Sequence, residues 1–318
     1  MPTLAALEEA ADLVHSIMPP TPQLCWPLLG ERCGCEVWVK HENHTPIGAF
    51  KVRGGLVYLA DLRKSSPEIA GVITATRGNH GQSVALAASR LGLTATVVVP
   101  HGNSREKNAA MRAFGGELIE HGSDFQAAAE HAEALAASRR LHFVRSFDER
   151  LVTGVGTYAL ELLRGVGDLD TVYVPIGMGS GICGMMAARD GLGLKTRIVG
   201  VVAEGAPAYK LSFEAGKPVS TNSADTMADG LACRVPDADS VARIRAGADR
   251  VVVVSDGEIR AAMRHYFTDT HNLAEGAGAA ALAALLQERG LMAGKRVAIV
   301  LSGGNIDRAL YREVLAEG

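Results

Sequence analysis

Seven short apolar runs recur along the chain, and segments with a helical pattern separate most of them. The runs are VWV (37–39), GVITA (71–75), TATVVV (94–99), TVYVPI (171–176), RIVGVV (197–202), RVVVV (250–254) and RVAIVL (296–301). Continuous apolar strands that alternate with helices are typical of parallel sheets buried on both faces. The sequence therefore predicts an α/β fold with open, mainly parallel sheets flanked by helices.

The spacing of the runs also predicts a two-lobed organisation. The 318 residues are enough for one large domain or for two lobes that share a cleft. The segment around 71–148 has its own alternation of strands and helices. We therefore predict a small domain, residues 67–148, inserted into a large domain built from residues 1–66 and 149–318.

Charge and composition exclude several classes of protein. The formal net charge is -3, and the chain has no basic block, no acidic tail and no apolar run of transmembrane length. Neither nucleic acid nor a membrane is therefore an expected partner. The first residues predict an amphipathic helix rather than a signal peptide, because acidic residues stand where basic ones should. The five cysteines do not complete a zinc site, and we expect a cytoplasmic protein.

Three polar or glycine-rich loops follow predicted strands. They are ATRGNHGQS (75–83), PIGMGSGICG (175–184) and LSGGN (301–305). In open α/β sheets, ligands bind at the carboxyl ends of the strands. The three loops are therefore predicted to converge on one cleft.

Each loop offers a different kind of contact. Asn79 and His80 stand at a predicted helix start, where free backbone N–H groups favour a carboxylate. The glycines of the second loop allow a phosphate to approach backbone N–H groups, and Ser302 in the third offers a hydroxyl. Considered one at a time, each loop is as typical of a helix cap or a tight turn as of a ligand site.

Lys51 has unusually apolar neighbours in the stretch HENHTPIGAFKVRGG (41–55). Dehydration lowers the pKa of a lysine and frees its amine to attack a carbonyl carbon. Such a lysine, a phosphate cradle and a polar partner for a flat ring together suit pyridoxal phosphate. We therefore expect this cofactor in the predicted cleft.

The segment TPIGAFKVRGG resembles the Schiff-base segment of the fold type II, or tryptophan synthase β-like, pyridoxal-phosphate enzymes. It is most similar to the group of threonine and serine dehydratases and serine racemases. The resemblance extends over essentially the whole chain. Further motifs follow in the order typical of that group: GNHGQ (78–82), the glycine loop (177–181), AEGAP (203–207), TMADGLA (226–232), AEGAG (274–278) and LSGGN (301–305).

The resemblance implies roles for individual residues. Lys51 would form the Schiff base, and Phe50 would pack near the cofactor ring. The other implied cofactor contacts are Asn79, Gly177, Met178, Gly179, Ser180, Gly181, Gly230, Glu275 and Ser302. The implied substrate loop consists of Thr76, Arg77, Gly78 and His80.

The implied activity is dehydration of a β-hydroxy amino acid of the threonine or serine type to a 2-oxo acid and ammonia. A homodimer is compatible with the resemblance. The chain ends soon after LSGGN, so no C-terminal regulatory domain is expected. Glu204 matches the first of two carboxylates that hold a cation in some relatives, but the second is missing, and we predict no metal.

Arg77 is the largest departure from that group, in which serine is common at this position. Arginine is a poor proton shuttle, which counts against a racemase. Its forked guanidinium suits a second carboxylate, which makes 3-hydroxyaspartate an alternative substrate.

Two further alternatives stay open at this stage. The PIGAFKVRGG context argues against a β-replacement enzyme of the cysteine synthase kind. A nucleotide-binding regulatory module would explain the glycine loop but neither Lys51 nor LSGGN.

Overall fold

The structure, a computed structural model, describes residues 1–317. Its strands are β1 (Gln23–Cys25), β2 (Glu36–His41), β3 (Gly71–Ala75), β4 (Thr94–Val99), β5 (Gly116–Glu120), β6 (His142–Phe143), β7 (Thr171–Pro175), β8 (Arg197–Ala203), β9 (Arg250–Val254) and β10 (Arg296–Leu301). Its helices are α1 (Leu4–His15), α2 (Pro27–Cys33), α3 (Lys51–Ser65), α4 (Asn79–Arg90), α5 (Arg105–Ala113), α6 (Phe125–Arg139), α7 (Glu149–Val166), α8 (Ser180–Gly191), α9 (Ala208–Ala215), α10 (Ala238–Gly247), α11 (Asp256–Thr270), α12 (Gly276–Gln287), α13 (Arg289–Met292) and α14 (Arg308–Leu315). Short 3-10 turns cover Glu42–His44 and Asp229–Leu231.

The larger sheet has six strands in the order β1-β2-β10-β7-β8-β9. The edge strand β1 runs antiparallel to β2, and all other neighbours are parallel. In β10, Val297 and Ile299 pack in the core cluster that contains α12, whereas Ala298 and Val300 pack in the cluster that contains α7 and α8. Burial on both faces explains why this strand is apolar throughout and confirms the predicted parallel α/β fold.

The smaller sheet has four parallel strands in the order β5-β4-β3-β6. Its two faces are also covered: Val72 packs with α3 and α4, whereas Ile73 packs with α6. All four strands fall between residues 71 and 143, inside the segment predicted to form the small domain. None of the helices in residues 1–317 combines the length and apolar character needed to cross a membrane.

The carboxyl ends of three strands carry the predicted loops. β3 leads into α4, β7 leads into α8, and β10 ends one residue before Ser302. An isolated bridge between Ala49 and Gly303 joins the third loop to the segment before α3. The backbone N–H of Phe50 also donates to the carbonyl of Ser302 at 3.0 Å. These contacts hold the start of α3, and therefore Lys51, at the end of β10.

Candidate functional site

One cleft of about 430 Å³ is lined by residues from all three loops and from the start of α3. Every residue that the sequence assigned to the cofactor or substrate site lines it: Phe50, Lys51, Thr76, Arg77, Gly78, Asn79, His80, Gly177, Met178, Gly179, Ser180, Gly181, Gly230, Glu275 and Ser302. The structure thus brings the predicted residues together. Their individual roles toward a ligand stay predictions.

Lys51 is the first residue of α3, and its side chain is partly buried. Its Nζ donates to Ser180 Oγ at 3.2 Å and lies 5.1 Å from the centre of the Phe50 ring. Ser83 of α4 holds the Lys51 backbone in place, because its hydroxyl donates to the Lys51 carbonyl at 2.6 Å. Burial lowers the pKa of the Lys51 amine to about 8. The amine therefore loses its proton far more readily than an ordinary lysine does.

This lowered pKa predicts a pH dependence for cofactor uptake. Only the unprotonated amine of Lys51 can attack an aldehyde, so the uptake rate should rise as pH increases through about 8 and then level off. Absorbance-monitored mixing of cofactor-free protein with pyridoxal phosphate between pH 6 and about 10 would measure this profile. A rate that still climbs steeply at the alkaline limit would show that the lysine has its ordinary pKa.

The glycine loop has no room for side chains at two positions. A Cβ on Gly177 would lie 2.3 Å from the carbonyl oxygen of Gly230, and one on Gly179 would lie 1.9 Å from Ser240 Oγ. Gly179 also has a φ of +98°, which favours glycine. It is the N-cap of α8, where backbone N–H groups point out of the helix. This bare loop ahead of a helix start fits a phosphate group.

The side chains of the two non-glycine residues in the loop point in different directions. The Ser180 side chain is buried and points to Lys51, so its hydroxyl is part of the cleft. Met178 packs against the core cluster around α8, and its carbonyl accepts a hydrogen bond from Tyr209 at 2.9 Å. Met178 therefore contributes its backbone to the shape of the loop.

Replacement of Gly177 by alanine is expected to weaken cofactor binding by roughly ten- to a hundredfold, because the added methyl group displaces the loop from the Gly230 backbone. Titration of cofactor-free protein with pyridoxal phosphate measures this Kd. Gly257→Ala in α11 is the matched control, since the nearest atom to its added Cβ is 3.8 Å away. Equal affinities in the two variants would contradict the role of the tight loop.

Asn79 begins α4, but its side chain does not cap the helix. Its Nδ2 donates to Glu275 Oε1 at 2.6 Å, and its Oδ1 accepts from Asn305 Nδ2 at 2.8 Å. Asn305 also donates to the Ile47 carbonyl at 2.7 Å, next to the segment that leads to Lys51. The amide of Asn79 is therefore fixed at both ends, and its second N–H stays available for a ligand.

The loop before α4 contributes a structural hydroxyl, and the first turn of that helix contributes an unsatisfied histidine. Thr76 Oγ1 accepts from the backbone N–H groups of Gly78 at 2.9 Å and Gly81 at 3.3 Å, so it shapes the turn. His80 is buried, and its Nε2 has no hydrogen-bond partner. Burial, with a further contribution from Lys51, lowers the pKa of His80 to about 3. A neutral imidazole with a free ring nitrogen suits contact with a polar ligand.

Lys107 in α5 is a cleft residue that the sequence did not single out. It is almost fully buried, and its Nζ lies 3.1 Å from Glu275 Oε2 and 3.4 Å from Asp229 Oδ2. Burial alone would lower the pKa of Lys107, but Glu275 and Asp229 raise it above its usual value. The other oxygen of Asp229, Oδ1, lies 2.9 Å from Arg77 Nη2. Arg77 and Lys107 are thus joined through one carboxylate.

Comparison with known proteins agrees with this chemistry. A family described as "Pyridoxal-phosphate dependent enzyme" matches residues 16–303. The biosynthetic L-threonine dehydratase of Haemophilus influenzae is 33% identical over 97% of this chain and 61% of its own length. The L-threo-3-hydroxyaspartate ammonia-lyase of Saccharomyces cerevisiae is 31% identical over 99% of this chain and 97% of that protein. This chain thus spans about three fifths of the bacterial relative and nearly all of the yeast one.

The fold is also similar to that of solved structures. The processed form of threonine deaminase isoform 2 from Solanum lycopersicum superimposes with a TM-score of 0.89. The two sequences are 29% identical, and the match covers 100% of this chain and 95% of the other. The similarity therefore extends over both sheets and the cleft-lining loops.

Proposed function

Because this chain belongs to the family of pyridoxal-phosphate dependent enzymes, we propose that it dehydrates a β-hydroxy amino acid of the threonine or serine type to a 2-oxo acid and ammonia. The observation that carries the proposal is Lys51: its amine has a lowered pKa and lies 3.2 Å from Ser180 at the head of the glycine loop. The threonine dehydratase named above supports the same reaction class.

The residues of the cleft fit the cofactor in four places. Lys51 would hold its aldehyde carbon, and residues 177–181 would hold its phosphate. Asn79 would donate to the phenolic oxygen, and Ser302 would contact the ring nitrogen. Bound there, the cofactor supplies a sink for the electrons left on the substrate α-carbon.

The chain's own groups then bind the substrate and move its protons. The α-carboxylate would bind at the start of α4, where the backbone N–H groups of Asn79 and His80 lie in the first helical turn. Once the substrate amine has taken its place and freed it, Lys51 would take the proton from the α-carbon, because its pKa of about 8 is near neutral pH. The amino acid then loses its β-hydroxyl as water, and hydrolysis of the remainder gives the 2-oxo acid and ammonia.

A panel of amino acids tests this proposal. Cofactor-loaded protein should release a 2-oxo acid from threonine or serine and none from alanine, which has no β-hydroxyl to lose. Detection of the 2-oxo acid and ammonia in equal amounts would support dehydration. Release from no β-hydroxy amino acid, with the cofactor bound, would refute it.

3-Hydroxyaspartate is a second candidate substrate. Two observations favour it: the yeast relative is a 3-hydroxyaspartate ammonia-lyase, and Arg77 lies in the cleft. The ion pair between Arg77 and Asp229 counts against it, because that guanidinium is already neutralised. Threonine and serine are therefore the preferred candidate substrates.

We also propose a cytoplasmic homodimer with a small domain at residues 67–148 and a large domain at residues 1–66 and 149–318. The domain division is supported by the two separate sheets. Sedimentation analysis of the purified protein would test the dimer.

A further inference from the structure

We propose that Asp229 determines specificity: its carboxylate fills an anion-binding subsite made by Arg77 and Lys107, and so restricts the cleft to substrates with an uncharged side chain. The inference rests on the proposed function, because it names the substrate class of the same cleft.

Asp229 makes the contacts that the carboxylate of a bound ligand would make. Its Oδ1 lies 2.9 Å from Arg77 Nη2, and its Oδ2 lies 3.4 Å from Lys107 Nζ. Each oxygen thus meets a different cation. A carboxylate on a substrate side chain would need the same two-point arrangement to bind there. Asp229 therefore occupies the position that such a group would take.

The two cations face the cleft, and the Arg77 side chain is also 35% exposed. Both line it, and the Lys107 side chain is only 7% exposed. The Nε of Arg77 is buried without a hydrogen-bond partner, so the guanidinium retains donor capacity. Arg77 also directly follows Thr76 in the loop that precedes α4, next to the proposed site of the α-carboxylate.

The four charges of this cluster cancel. Arg77 and Lys107 are positive, whereas Asp229 and Glu275 are negative. A second substrate carboxylate would meet Asp229 and be repelled at short range, where partial burial limits screening. The uncharged side chains of threonine and serine avoid this repulsion.

Removal of the Asp229 charge should free Arg77 selectively. Lys107 would keep its contact with Glu275 at 3.1 Å, whereas the Arg77 guanidinium would lose the carboxylate that neutralises it. Asp229→Asn is the suitable change, because it removes the charge and preserves the size of the side chain. The freed guanidinium is then available to a second carboxylate.

L-Aspartate and L-asparagine are the probes for this test. They are nearly equal in size, differ in side-chain charge, and lack a β-hydroxyl, so neither can undergo the proposed dehydration. Titration of the cofactor-loaded protein, followed by the cofactor absorbance, gives a Kd for each. In Asp229→Asn, the ratio of the two Kd values should shift toward aspartate by about ten- to a hundredfold relative to the native protein.

Three further variants make the result specific. Arg77→Ser combined with Asp229→Asn should lose most of the shift, because the freed guanidinium is gone. Asp124→Asn is the matched control: Asp124 also lines the cleft and pairs with Arg234 at 3.4 Å, but it is not paired with Arg77. It should leave the ratio unchanged. Asp229→Ser should shift the ratio in the same direction as Asp229→Asn. Because serine has no amide group, agreement between the two variants would show that the shift comes from loss of the carboxylate charge.

An unchanged ratio in both Asp229 variants, with dehydration intact, would overturn this inference alone. A native protein that already prefers aspartate tenfold would also overturn it. If the ratio shifts as expected but no β-hydroxy amino acid yields a 2-oxo acid, the subsite stands and the dehydratase proposal fails.

Discussion

Replacement of Lys51 by alanine is expected to reduce turnover by about 10⁴-fold or more while the fold survives. The change removes both the amine that would hold the cofactor and the base that would take the α-proton. The side chain is only partly buried and begins a helix, where alanine is well tolerated. Release of 2-oxo acid measures turnover, and circular dichroism checks the fold.

Lys64→Ala is the control for this experiment, because Lys64 is an exposed lysine in the last turn of the same helix. It should retain native activity. A Lys51→Ala protein that keeps more than about a hundredth of native turnover would show that another group does this chemistry.

Replacement of Arg53 by methionine is expected to destabilise the protein by about 3–5 kcal/mol. Arg53 has no exposed side-chain surface, and its Nε lies 2.8 Å from Glu42 Oε2. Its Nη1 lies 2.6 Å from Glu161 Oε1. Removal of the guanidinium leaves two buried carboxylates with Lys40 as the remaining buried cation, which pairs with Glu161 at 2.5 Å. The penalty is the cost of uncompensated buried charge.

Urea denaturation of the native and variant proteins measures the change in the free energy of unfolding. Arg63→Met on the same helix is the control, because Arg63 is exposed and donates to the carbonyls of Pro67 and Ile69. It should cost less than about 1 kcal/mol. Equal losses in the two variants would contradict the importance of the buried network.

The sequence predicted the central strands well because their burial leaves a local signature. All seven apolar runs lie in strands or end within one residue of them. β5 was missed: GELIE lies at the edge of its sheet, and both of its glutamates are exposed. The two-residue β6 is too short to show a period, so tertiary pairing alone defines it.

The sequence identified cleft residues that lie in glycine-rich loops or directly after strands. The family and the cofactor are confirmed by the match over residues 16–303. Lys107 was missed because SREKN (104–108) has only the pattern of a helix start. Its contacts with Asp229 and Glu275 join segments more than a hundred residues apart, and no local pattern reports them. In the structure, Lys107 also packs against the loop before α4, since a Cβ on Gly78 would lie 2.5 Å from Lys107 Cδ.

Borohydride reduction tests whether Lys51 carries the cofactor in this cleft. Reduction should fix pyridoxal phosphate covalently to the protein, and peptide mass mapping should then locate the label. Lys107 is the internal comparison, because it lines the same cleft but is held protonated by two carboxylates. A single label on Lys51 is expected. A label on Lys107 or on any other lysine, with Lys51 unmodified, would contradict it.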